Sequence, residues 1–305
     1  MKNFFQKYSI HLIIVFYVVL CLTSLFYDYS LNSIGDESTI MNATLKMIND
    51  HTLRPNYDSL YHMPLAVYLY LPFYLFIFVF LRFTGLFGSI AEIKQFVILD
   101  YAKLLPLARF INILVGAISL YLVYLIAKKL FGSKNIGLLS AYLFATSLLF
   151  MMISHTAVVW VPQIAAMLLS LYFVVLMLPK ENVTIKDYII NAFLIGVSFG
   201  VHFIGLLSYI PFFIVHFLKN RQKKIIGVLI DKKLWIANAI IIIFIPFLYF
   251  LNPPGFLNYT GGLIPTIDFM LPVAHTTIAN SAPAQVGSSI LVDLLKKEYF
   301  FANIL

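Results

Sequence analysis

LARFINILVGAISLYLVYLIA, residues 107–127, is an apolar run with one formal charge, Arg109, at its opening. Wound as a helix it rises about 31 Å, enough to cross the hydrocarbon core of a bilayer. Comparable runs fall at about 8–27, 138–153, 160–178 and 234–251. The chain as a whole agrees: of 305 residues 61% are hydrophobic and 11% charged, with mean hydropathy +0.92. Soluble domains average about 45–50% apolar and about 25% charged, so that class is excluded. The 29 Phe and 19 Tyr exclude disorder. A single cysteine, Cys21, excludes a disulfide scaffold. The alternating ten-residue strands of a membrane barrel are missing. The expected fold is all-α: a polytopic transmembrane helical bundle forming a single membrane domain over 1–305.

The formal net charge of +8 suggests nucleic acid until its placement is read. Lys and Arg gather in short clusters between the apolar runs: Lys128, Lys129 and Lys134; Lys180 and Lys186; then Lys219 to Lys233. That is the distribution of the positive-inside rule, and no stacking aromatics are interleaved, so no nucleic-acid partner is expected. The first run follows Lys2 and Lys7 but is longer than a signal-peptide core and lacks a small-residue cleavage site. It is expected to be the first span. From Tyr188 to Leu218 the chain carries no formal charge, is too long for one upright helix, and is interrupted by Gly196, Gly200, Gly205 and Pro211. Basic clusters flank both its ends. Two short spans or a broken helical hairpin satisfy that; one crossing does not.

The run Pro64–Leu81 has two readings. With a cytoplasmic N-terminus it lies in the membrane plane; with an outside N-terminus it spans. Charge counting ties, because Lys2 and Lys7 on one reading are replaced by Lys46 and Arg54 on the other. The first is favoured because it places the acid-rich loop outside. Segment 28–106, with Asp28, Asp36, Glu37, Asp50 and Asp58, is then the first extracytoplasmic loop. Within it Ile40, Ala43, Met47 and Ile48 share a helical face opposite Asn42, Lys46 and Asn49, the pattern of an amphipathic helix on the membrane surface. Asn252-Pro253-Pro254-Gly255 ends the last apolar run and opens a second extracytoplasmic segment, 252–305. The approach to the membrane after Lys297 reads as incomplete, so a longer protein, truncated at its C-terminus, is expected.

Chemistry is sparse inside the runs. Among ionisable groups only His202 and His216 lie deep in them, which disfavours ion-coupled transport. The adjacent acids Asp36 and Glu37 stand just before the amphipathic helix. There a helix N-terminus would keep Asp36 ionised as a base toward an acceptor hydroxyl, or Asp36 would merely cap the helix. His62, before Pro64, would meet a lipid phosphate at the interface or simply be solvated. His155 sits in the turn between the 138–153 and 160–178 runs. With His51, His62, His275 and the acids it leaves a divalent metal open as a cofactor, although the spacing matches no compact ligand motif.

A first span, then Asp36-Glu37, then an amphipathic helix, then Pro64-Leu65 leading into an in-plane helix resembles the membrane glycosyltransferases of the C-type fold. The nearest group is the protein O-mannosyltransferases and aminoarabinose transferases. Ala108-Arg109-Phe110, Leu130-Phe131-Gly132, Ser140-Ala141, Ser154-His155 and the glycine-spaced 196–205 stretch extend the likeness over residues 8 to about 250. The resemblance implies an integral-membrane glycosyltransferase, hexosyl- or pentosyl-, of the inner (plasma) membrane with a cytoplasmic N-terminus. Its partners would be a polyprenyl-phosphate-linked sugar donor, a lipid, glycan or protein acceptor, and membrane lipids. Asp36 would be the catalytic base with Glu37 supporting it. His62, Arg109 and Lys103 would hold the donor phosphate, and His155 is a further candidate. Relatives often carry a second acid in the turn that here reads His155-Thr156-Ala157-Val158-Val159, with none. Two other functions fit the same residues: a transporter or lipid flippase, and a non-catalytic membrane subunit.

Overall fold

The computed structural model describes residues 2–23, 25, 37–55 and 64–253. All regular structure among them is helical. The α-helices are α1 (Lys2–Thr23), α2 (Glu37–Asn49), α3 (Leu65–Phe83), α4 (Ile90–Asp100), α5 (Leu105–Phe131), α6 (Lys134–Ala145), α7 (Leu148–Ser154), α8 (Trp160–Met177), α9 (Ile185–Val201), α10 (Tyr209–Lys219), α11 (Ile225–Leu229) and α12 (Lys232–Leu251). Among the described residues four helices are long and apolar enough to cross a membrane: α3, α5, α8 and α12; a fifth span results if the bent pair α6–α7 counts as one. The chain is thus an all-α polytopic helical protein.

Two apolar stretches are divided. The 138–153 run breaks at Thr146-Ser147, where α6 and α7 meet at 64°. The Thr146 hydroxyl donates back to the carbonyls of Tyr142 and Leu143, and Ser147 takes an extended ψ of 117° that opens α7. The 188–218 stretch breaks at His202, whose φ of −159° and ψ of 144° are fully extended. A tight 3-10 turn over Phe203–Ser208 follows before α10. That turn folds onto the last turn of α9 so closely that a Cβ on Gly205 would lie 2.1 Å from the Ser198 carbonyl oxygen; only glycine fits there.

The hairpin has both feet at one end of the bundle, as the flanking charges require. Lys219 Nζ donates to the carbonyl oxygens of Leu178 (2.5 Å) and Lys180 (2.7 Å), and Lys233 Nζ donates to that of Val183 (2.6 Å). These ammonium groups bind together the end of α8 and the starts of α9 and α12. Thr184 and Asp187 close a reciprocal capping box at the head of α9. The hairpin apex lies at the other end, where the His202 ring packs on Trp160, the first residue of α8, with centroids 4.7 Å apart.

The same two ends organise the N-terminal half. Ile10 of α1 packs with Tyr124 of α5 and Ala141 of α6, while Leu25, beyond α1, accepts a hydrogen bond from Arg109 at the start of α5. Helices α1 and α5 are therefore antiparallel, and the chain leaves α1 and enters α5 at the same end. Helix α3 is long and apolar enough to span, and α4 has 11 residues. The first half of α3 packs against the end of the bundle where α5 starts and α9 and α12 finish. Leu65 at its start meets α9 and α12, where a Cβ on Gly200 would clash with the Leu65 side chain. Tyr70 reaches Asn112, and Tyr74 donates to the Leu104 carbonyl at 3.1 Å.

One core lies beneath this layer: Ile40, Ala43 and Met47 of α2 are buried with Ala66, Val67, Tyr70 and Tyr74 of α3 and Ala108 and Ile111 of α5. The amphipathic face read in α2 is the face it buries, though against protein. A second core joins α8, α9, α10 and α12 around Val174, Ile195, Phe212 and Ala237.

Candidate active site

Glu37 is the first residue of α2, and Arg109 lies in the second turn of α5. They are 3% and 4% exposed, so neither charge is shared with solvent. The guanidinium grips the carboxylate with two nitrogens: Nε donates to Oε1 at 3.0 Å and Nη2 to Oε2 at 2.8 Å. Nη1 donates to the Leu25 carbonyl at 3.4 Å. Glu37 Oε1 also accepts the backbone N–H of Ala157 at 2.7 Å. Three segments far apart in sequence thus meet on one carboxylate: the head of α2, the head of α5 and the α7–α8 turn. A bidentate, fully partnered pair of this kind is the arrangement in which buried ions are tolerated.

Asn112, one turn on in α5 and fully buried, doubles the attachment. Its Nδ2 donates to the carbonyls of Thr156 (2.6 Å) and Val158 (2.9 Å), and its Oδ1 accepts from the Tyr70 hydroxyl. Residues 156–158 are therefore fixed through one N–H and two C=O groups by side chains of α2 and α5. A buried turn must satisfy its backbone somewhere, and here side chains of other elements do it.

The expected site residues are distributed as follows. Glu37 and Arg109 come together, with the guanidinium fork turned to Glu37. Lys103, exposed in the turn before α5, stands 6.0 Å from the centroid of the Phe96 ring. His155 closes α7, half-buried, two residues from the N–H that Glu37 holds. Asp36 directly precedes Glu37 in the chain and His62 precedes Pro64 by two; both lie outside the described residues. Among the described residues no group of three or more His, Cys, Asp or Glu is placed to hold a metal ion. Asn112 was missed. Its signal was an amide three residues after a lone arginine in an otherwise apolar run, where each polar group needs a partner.

Fold and site together define a multi-pass helical membrane protein with a buried carboxylate–guanidinium centre at one end of the bundle. Residues 105–250 match the dolichyl-phosphate-mannose-protein mannosyltransferase family, just under half of the chain. The match begins at the head of α5, includes Arg109, Asn112 and the α7–α8 turn, and ends in the last turn of α12. It agrees with the resemblance to membrane glycosyltransferases drawn from the sequence. No curated protein and no solved structure matches the chain.

Proposed function

We propose that the chain is an integral-membrane glycosyltransferase that moves a hexosyl or pentosyl group from a polyprenyl phosphate to an acceptor on the extracytoplasmic face of the inner membrane. The observation that carries this reading is the carboxylate of Glu37. It is locked by Arg109 and Ala157 N–H beside Asp36 in sequence, and two of its three anchoring segments lie within the family match. With Glu37 committed to its partners, Asp36 is the acid left to do chemistry. Asp36 takes the acceptor proton, the oxygen so freed attacks the anomeric carbon, and the polyprenyl phosphate departs with inversion. One base suffices, because a phosphate leaves without prior protonation. His62 and Lys103 stabilise the departing anion, and His155 is a further candidate for that role.

The end of the bundle holding the Lys128, Lys180 and Lys219 clusters is assigned to the cytoplasm, with the N-terminus. The site end is then outside. Replacing Cys21 by Ala and Ser33 by Cys tests this: a membrane-impermeant thiol reagent should label intact cells. Labelling only after lysis would overturn the assignment. For the chemistry, Asp36→Asn should abolish sugar transfer from a supplied polyprenyl-phosphate sugar while leaving the thermal midpoint in detergent unchanged. Undiminished transfer would overturn the role of Asp36.

A further inference from the structure

The end of the bundle away from Glu37 holds charge that sugar transfer does not use. Some of it is structural: Lys219 and Lys233 hold carbonyls, Lys180 pairs with Asp187, and Lys223 pairs with Asp231. Arg221, Lys224 and Lys232 are different. All three are exposed and have no partner among the described residues. Between Lys224 and Lys232 runs α11, which presents Ile225, Ile226, Leu229 and then Ile230 at 66, 72, 47 and 66% exposure. Trp235, 60% exposed, follows in the first turn of α12.

This short helix is held in place. Its Val228 side chain is buried, and the Val228 carbonyl lies 3.0 Å from Nε2 of His216, itself buried in α10. The Lys223–Asp231 pair, at 2.6 Å, closes across its two flanks. A fixed segment showing four large aliphatic side chains, three on the helix and Ile230 at its cap, between cations is unsuited to water. It matches a bilayer interface, where aliphatic groups enter the acyl region, cations meet phosphates and tryptophan sits at headgroup depth.

We infer that residues 221–235 form a binding surface for anionic phospholipid headgroups in the leaflet opposite the Glu37 site. Ile225, Ile226, Leu229 and Ile230 enter the acyl boundary, and Arg221, Lys224 and Lys232 hold lipid phosphates. Charge complementarity selects anionic over zwitterionic lipid, because three exposed cations with no partner among the described residues lie on one short segment.

The chain has two tryptophans, so Trp160→Phe leaves Trp235 as the only one. That variant, full length, is reconstituted in nanodiscs of phosphatidylcholine containing a fixed fraction of brominated phosphatidylglycerol or, separately, of brominated phosphatidylcholine. Quenching of Trp235 should be about twofold stronger with the brominated anionic lipid. Adding R221Q/K224Q/K232Q should equalise the two while retaining quenching by brominated phosphatidylcholine, which shows that α11 keeps its depth. Equal quenching in the parent, a preference that survives the triple change, or no quenching by either lipid would each overturn the proposal.

Discussion

Both ends of this bundle are tied by carboxylates paired with cations, and the pairs differ in how far the cation is buried. At the site end Glu37 and Arg109 are 3% and 4% exposed and meet through a two-nitrogen fork. At the other end Lys180–Asp187 and Lys223–Asp231 are as short or shorter, 2.5 and 2.6 Å, yet the lysine side chains are 43% and 49% exposed. Distance does not rank them. A pair whose cation is exposed gains little, because water serves the ammonium almost as well as the carboxylate does. A buried pair is not strongly stabilising either, but it cannot be half removed, since the ion left behind has no water to fall back on. The site end is therefore intolerant of single changes and the basic end forgiving.

The sharpest break of that contrast is Arg109→Met, which strands the Glu37 carboxylate. A loss of about 3–5 kcal/mol is expected, read as a fall in the detergent thermal midpoint. The double change Glu37→Gln/Arg109→Met should recover a good part of it. A double variant no more stable than Arg109→Met would show that packing, and not the stranded charge, sets the cost. Next comes Asn112→Leu, which leaves the carbonyls of Thr156 and Val158 and the Tyr70 hydroxyl without their partner. The expected loss is about 2–3 kcal/mol, and sugar transfer should fall with it.

The smallest effect belongs to Lys223→Met, expected within about 0.5 kcal/mol after allowance for solvent screening. A pH scan refines this. Partial burial alone would raise the Asp187 and Asp231 carboxyls. It is outweighed by Lys180 and the Thr184 N–H and hydroxyl at Asp187, and by Lys223 and the Lys233 N–H at Asp231, which hold both below the ordinary 3.8. Depressed carboxylates contribute fully above the unfolded value and lose that contribution as pH falls through the folded one. The difference in midpoint between the parent and Lys223→Met should thus persist at neutral pH and close below 3.8. A difference that stayed constant into stronger acid would exclude the ion pair as its source.

Much of this fold was legible in the sequence, because the bilayer imposes long apolar runs and each cluster of cations marks an end. The hairpin over 188–218 followed from charges on both flanks, and the buried face of α2 followed from helical spacing. The bend at Thr146-Ser147 did not, since hydroxyls that bond back onto a helix leave hydropathy untouched. The site was half legible. Asp36-Glu37 and Arg109 stood out as ionisable groups beside apolar runs, and Arg109 was assigned to a phosphate. Its guanidinium is paired with Glu37, 72 residues away, a pairing that periodicity does not report. A lone arginine opening an apolar run was the available signal that a counter-charge had to be near.

The N–H of Ala157 reaches Glu37 across 120 residues of chain, and this has a consequence for biogenesis. Glu37 is synthesised first, Arg109 later, and Ala157 only after α6 and α7 have been made. Until the α7–α8 turn arrives, the carboxylate lacks one of its three donors and the α2–α3 layer has only α5 and the residues just before it to close against. The centre is therefore a late event of membrane insertion. A nascent chain arrested before α8 displays an unfinished acidic site, the kind of half-satisfied polar surface that quality-control proteases can distinguish from the finished protein.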